Sequence, residues 1–150
     1  MDVRPITEED EELIEAAEEL LRQHHEPGRH RCSAAVRASS GELYTGINLI
    51  TGGQADVHSE PVALGRAVMA NDPDIRTSVA VIYENDDASN PLQVVSACGV
   101  CRELYNTFAP DVDIIIPGDP NPVKASLSDL LPAKGDPGFD GAGATLAEGE

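Results

Sequence analysis

Two short fragments hold the residue types that could do chemistry: His58-Ser59-Glu60 and Cys98-Gly99-Val100-Cys101. Two cysteines three positions apart at a helix start can turn both sulfurs towards one point, where the helix dipole favours the thiolate that zinc binding needs. A histidine supplies a third ligand. The fourth tetrahedral position then stays open for water, as a catalytic zinc site requires and a structural one does not. Glu60, two residues beyond the histidine, stands where a general base can reach that water without binding the metal. Each fragment also has a plainer reading. Cys-x-x-Cys serves equally as a redox pair or as half of a structural zinc site, and His-x-Glu arises by chance in many chains.

Both fragments must sit at helix starts for this chemistry, and the surrounding pattern provides them. Thr7-Glu8-Glu9-Asp10 opens a helix whose face of Leu13, Ile14, Ala17, Leu20 and Leu21 runs until Pro27-Gly28 ends it. Cys32 to Ala38 and Leu43 to Leu49 flank the turn Ser39-Ser40-Gly41-Glu42 and predict a β-hairpin. From Ser59 to Asn71 apolar residues cover most of a helix's circumference, which predicts burial all round. Pro61 fits there only in the first turn, so His58 and Glu60 fall at its N-terminal end. Thr77 to Tyr83 reads as a central strand, Glu84 to Gln93 as a polar loop, and Cys98 to Phe108 as a helix. Asp113 to Ile116 and Val123 to Ala125 are further strands before a helical turn near Leu127 to Leu131. Helices on a mixed five-stranded sheet are expected, an α/β fold of α-β-α layers. Residues 1–134 form one domain, and 135–150 read as a flexible acidic tail.

The whole chain has 150 residues, the size of one ordinary domain. Lys and Arg number 10 against 27 Asp and Glu, a formal net charge of −17. Such a surface repels phosphate backbones and anionic membranes, so neither a nucleic acid polymer nor a membrane is an expected partner. Only two of the cations are lysines, Lys124 and Lys134. An acid-rich, lysine-poor surface suits a cytosol of very high salt, a halophilic habitat, with ordinary acidic solubility as the alternative. No apolar run approaches the roughly 20 residues that span a bilayer, and a cytoplasmic location is expected. Three cysteines in such a chain point to thiols used as ligands or catalysts rather than to a disulfide framework.

Taken together, in this order and with a strand between them, the two fragments match the His-x-Glu…Cys-x-x-Cys signature of zinc nucleobase deaminases. From about Cys32 to Pro132 the sequence resembles the cytidine deaminase superfamily, in particular its blasticidin-S-deaminase-like members. Gly46-Ile47-Asn48-Leu49, Thr51-Gly52-Gly53 and Leu130-Leu131-Pro132 also look like family landmarks. The resemblance implies Zn2+ held by His58, Cys98 and Cys101, with Glu60 moving protons between the attacking water, the ring N3 and the departing ammonia. It implies a small nucleoside-like substrate, a floor of Ser33-Ala34-Ala35-Val36 beneath the pyrimidine, Asn48 bonded to the sugar or its equivalent, and assembly as a homo-oligomer, a tetramer. Related enzymes with three thiolates place an arginine soon after the glutamate. Pro61 stands there, in keeping with a histidine ligand and no surplus anion.

The sequence also departs from the family pattern. Ala97 replaces the proline that usually precedes the first cysteine. Ile50 stands where nucleoside-specific members have a ribose-binding glutamate, and His30 takes the place of a stacking phenylalanine. A modified cytosine nucleoside or another amino-heterocycle is therefore as fitting as cytidine. The alternative from another class is a zinc-containing paralogue that binds a small heterocycle without turning it over. Elsewhere, Cys32 reads as a small buried hydrophobe, His24 and His25 as solvated residues of a last helical turn, and Arg102 as a support for the loop. Phe139 would either cover a neighbouring subunit's pocket or belong to the tail.

Overall fold

The computed structural model describes residues 1–134. The tail at 135–150 and Phe139 lie outside the described residues. Elements follow in the order β1 (Val3–Pro5), α1 (Glu8–His24), β2 (Cys32–Ala38), β3 (Leu43–Ile47), α2 (Ser59–Met69) and β4 (Ile75–Tyr83). A 3-10 turn at Glu84–Asp86 leads to β5 (Leu92–Val95), α3 (Gly99–Phe108), β6 (Asp113–Ile116), β7 (Val123–Ser126) and α4 (Leu127–Leu130).

The sheet is mixed, as expected, but has seven strands in place of five, in the order β1-β7-β6-β4-β2-β3 with β5 also paired to β4. The two additional strands carry weak local signals. β1 is three residues long, exposed throughout and ends in proline, and it exists because it lies antiparallel along β7. β5 follows Pro91 inside what reads as a polar loop, and pairs Val95 with Ala80 and Leu92 with Tyr83. One edge of β4 is thus shared end to end, by β6 running parallel at Thr77 and Ser78 and by β5 antiparallel at Ala80 to Tyr83.

Strand alternation sorts side chains onto two faces. Ala35, Val79, Val81 and Ile115 pack under Leu13, Ala17 and Leu21 of α1. Ala34, Val36, Ala80 and Ile114 pack against Ala63, Leu64 and Ala67 of α2 and Cys101 and Tyr105 of α3. The result is the expected α-β-α layering. Helix α2 is not buried all round, however. The sheet covers only its alanine-rich side, leaving Val68 46% and Met69 78% exposed. The close approach of α2 depends on Gly46 of β3. A Cβ there would run into the backbone of Ser59 and Ala63.

The helix starts are secured in two different ways. Thr7 caps α1 with a reciprocal capping box to Asp10, and Ser126 caps α4. The N-cap residues of α2 and α3 are His58 and Cys98, and neither makes a side-chain capping bond. Among the described residues no helix is long and apolar enough to cross a membrane.

Candidate active site

The uncapped starts of α2 and α3 converge. His58 Nδ1 lies 3.2 Å from Cys98 Sγ and 3.3 Å from Cys101 Sγ. The ligand atoms of the three residues all fall within 4.8 Å of one another. Tetrahedral zinc with Zn–S of about 2.3 Å and Zn–N of about 2.0 Å puts nitrogen and sulfur roughly 3.5 Å apart, so this donor set fits the ion with a few tenths of an ångström of adjustment. Burial pushes the Cys101 thiol up, and the Glu60 carboxylate and Cys98 add to the effect. A divalent cation among these donors would reverse that preference, since a coordinating thiol is deprotonated outright.

Pro61 is the third residue of α2, in the first turn as its missing N–H requires. That leaves Glu60 in the same turn, only 5% exposed, with Oε2 accepting a hydrogen bond of 3.1 Å from Ser59 Oγ. Ser59 Oγ also lies 3.3 Å from Cys32 Sγ. Burial raises the Cys32 thiol to about 11, so it stays neutral near pH 7, but the residue is only half-buried and borders the cavity, where a fully buried hydrophobe was expected.

His58, Glu60 and Cys98 border a cavity of about 270 Å³, sized for a single heterocycle with a small substituent. Cys32, Ile82 and Val95 form its apolar wall, and Arg31, Asn48, Ser59 and Ser96 its other polar groups. A larger hollow of about 760 Å³ runs along the acidic face of α1, lined by five glutamates and Ala16, and of these Glu12, Glu15 and Glu19 are paired with Arg37 or Arg22. The chemistry belongs to the smaller one.

Asn48 borders the cavity as expected. Its Oδ1 accepts from the backbone amides of Arg31 and Cys32 at 2.8 and 3.0 Å, which leaves the Nδ2 donors to offer a ligand. The other expected contacts are not among the lining residues. Ala34 and Ala35 are fully buried on opposite faces of the sheet, Ala34 under α2 and Ala35 under α1. The cavity end of β2 is instead Cys32, opposite Ile82. The His30 ring sits 2.8 Å from the Asn48 carbonyl oxygen and so supports Asn48 rather than lining the cavity.

The sequence reading missed Arg31, Ile82, Val95 and Ser96 as lining residues. Only Ser96, two positions before Cys98, had a local signal. His25 is not a solvated residue of the last turn. Its side chain is 6% exposed, bonded to Asp86 at 2.9 Å and set edge-on to Tyr83, because Asp86 on the distant turn also accepts from Gly28 N and draws the end of α1 inward. Arg102 supports the loop as expected, donating to Ala97 O at 2.8 Å and Leu130 O at 2.9 Å. This brace ties down the place where the proline is missing.

A three-layer fold with a carboxylate beside a His/Cys/Cys cluster defines a hydrolase of carbon–nitrogen bonds, of cytidine-deaminase type. No family model matches the chain. It is 34% identical over 131 residues to the blasticidin-S deaminase of Bacillus cereus, covering 86% of this chain and 94% of that protein. Its fold is similar to the cytidine deaminase of Bacillus anthracis, with a TM-score of 0.74 at 20% identity over 91% of this chain and 96% of that one. It is likewise similar to the cytidine deaminase of Burkholderia pseudomallei, with a TM-score of 0.68 at 21% identity over 87% and 100%. The chain belongs to the cytidine deaminase superfamily, close to its blasticidin-S-deaminase-like members.

Proposed function

We propose that the protein is a zinc-dependent hydrolytic deaminase of a free cytosine nucleoside or a related amino-heterocycle, releasing ammonia. The observation that carries this reading is the meeting of His58, Cys98 and Cys101 beside the buried Glu60 carboxylate at the floor of the cavity. His58, Cys98 and Cys101 would hold the metal, which when bound would supply a water acidic enough to attack near neutral pH. Glu60 takes a proton from the attacking water and delivers it to the ring N3, then takes a second proton from the newly added hydroxyl and gives it to the leaving amine, so that the carbonyl forms as ammonia departs. Ser59 holds one oxygen of that carboxylate in place. Asn48 donates to the sugar or its equivalent, His30 acts through Asn48, and Ala34 supports the cavity from beneath.

The protein works on small molecules in the cytoplasm, as a homo-oligomer and specifically a tetramer. The exposed apolar residues Val68, Met69, Val100 and Phe108 support assembly, and the net charge supports a high-salt habitat. Residues 1–134 are the catalytic domain.

Metal content and ammonia release from cytidine, deoxycytidine and blasticidin S test the reading, for wild type and Glu60→Ala. Expected are about one zinc per chain, turnover of at least one compound, and a loss of at least about 100-fold in Glu60→Ala, the low end for a general acid–base group. Activity surviving that change would reject the mechanism. Zinc without turnover would favour the heterocycle-binding paralogue.

A further inference from the structure

Arg31 stands apart among the eight arginines of the chain. The other seven are engaged by carboxylates or by backbone or hydroxyl oxygens. Among the described residues the Arg31 side chain has no hydrogen bond or ion pair, although the chain carries 27 acids. Its backbone is nevertheless fixed, because the Arg31 amide donates to Asn48 Oδ1 at 2.8 Å and the Ile50 amide donates to the Arg29 carbonyl at 3.1 Å. Asp86, whose carboxyl is influenced by Arg31, is already committed to His25 and Gly28. Arg31 is thus an exposed residue of the cavity wall whose charge acts on the neighbouring Cys32 thiol, whereas Glu60, which also lines the cavity, is buried.

We propose that Arg31 is a specificity-determining residue that binds an anionic substituent of the substrate, a carboxylate or a phosphate borne on the side away from the ring that loses its amine. This rests on the proposed deaminase function and narrows its substrate to anionic cytosine nucleosides. A guanidinium offers a planar fork of donors that matches either oxyanion with two parallel hydrogen bonds. At net charge −17 the surface at large disfavours an anionic ligand, so admission depends on a local cation at the mouth.

The test compares kcat/KM of the zinc-loaded protein for cytidine, cytidine-5′-carboxylic acid and cytidine 5′-monophosphate, in wild type, Arg31→Gln and Arg31→Lys, with calorimetric binding of the same compounds in parallel. At least one anion is expected to exceed cytidine by about tenfold. That ratio should fall towards one in Arg31→Gln, be partly kept in Arg31→Lys, and shrink with added KCl. Preference for one anion alone identifies carboxylate or phosphate as its source. Turnover of cytidine with no anion preference, or a preference surviving Arg31→Gln, overturns the role of Arg31 and leaves the deaminase reading standing. Absence of turnover for all three compounds counts against cytidine-type substrates without touching the deaminase class, and binding then decides on Arg31. An anion preference lost in Arg31→Gln supports the subsite, and equal or absent binding rejects it.

Discussion

At the scale of single residues, the site depends on a short relay of side chains around one carboxylate. Ser59 donates to Glu60 and neighbours Cys32, so it positions the proposed proton carrier without touching the metal ligands' donor atoms. Ser59→Ala removes that bond and leaves the carboxylate less firmly oriented. A lost hydrogen bond to a charged group is worth on the order of 1.5 kcal/mol, or about tenfold in rate. Steady-state kinetics should therefore show kcat reduced by roughly tenfold with KM changed by less than about twofold. A matched rise in KM with kcat intact would place Ser59 in ground-state binding instead. Residue types and spacing made His58, Glu60, Cys98 and Cys101 legible, because each lies within a few positions of a helix start that has its own local signal. Arg31, Ile82 and Val95 were not legible. They reach the cavity through the β2–β4 register, the pairing of β5 and the side chain of Asn48, all of which join distant segments.

At the scale of elements, the approach of α2 to β3 sets the metal ligands' position. Gly46→Ala would push the first turn of α2 outward, at a cost of about 1–3 kcal/mol for an overpacked contact. A lowered melting temperature together with reduced zinc per chain is the expected result, measured by calorimetry and metal analysis. Helix α1 is fastened differently, through Asp10 and Lys124 of β7 at 2.7 Å. Burial works against the charge on Asp10, but bonds from Lys124 and Thr7 outweigh it and hold the carboxyl below its usual value. A depressed pKa contributes stability that is present above the unfolded value near 4 and lost as pH falls through the folded one. Melting temperature measured from pH 6 down to pH 3 should thus fall less steeply for Asp10→Asn than for wild type. It will still fall, because Asp56, Asp86 and Asp87 are lowered too. Element order and layering were legible from periodicity and turn residues. β1 and β5 escaped because their pairing partners, not their own composition, make them strands.

At the scale of the whole molecule, charge is the dominant feature. Ten of the 27 acids lie in the first 26 residues, many on the outer face of α1 and away from the cavity. Their mutual repulsion is long-ranged in dilute buffer and is screened within about 3 Å at 1 M salt. Melting temperature should rise between about 0.05 and 1 M KCl, and a flat or falling curve would show that the acids are already compensated locally. The same field bears on ligand choice, since a neutral nucleoside enters without electrostatic help and an anionic one needs Arg31.

The uncapped starts of α2 and α3 have a consequence for how the protein folds. A serine or threonine at either place would fasten its helix independently, as Thr7 and Ser126 do for α1 and α4. With His58 and Cys98 there instead, two ends that ordinary capping would have secured one by one become answerable to a single shared ion on the proposed reading. Two segments forty positions apart in the chain would then gain their order in one event, so that acquiring the metal completes the architecture as well as the chemistry.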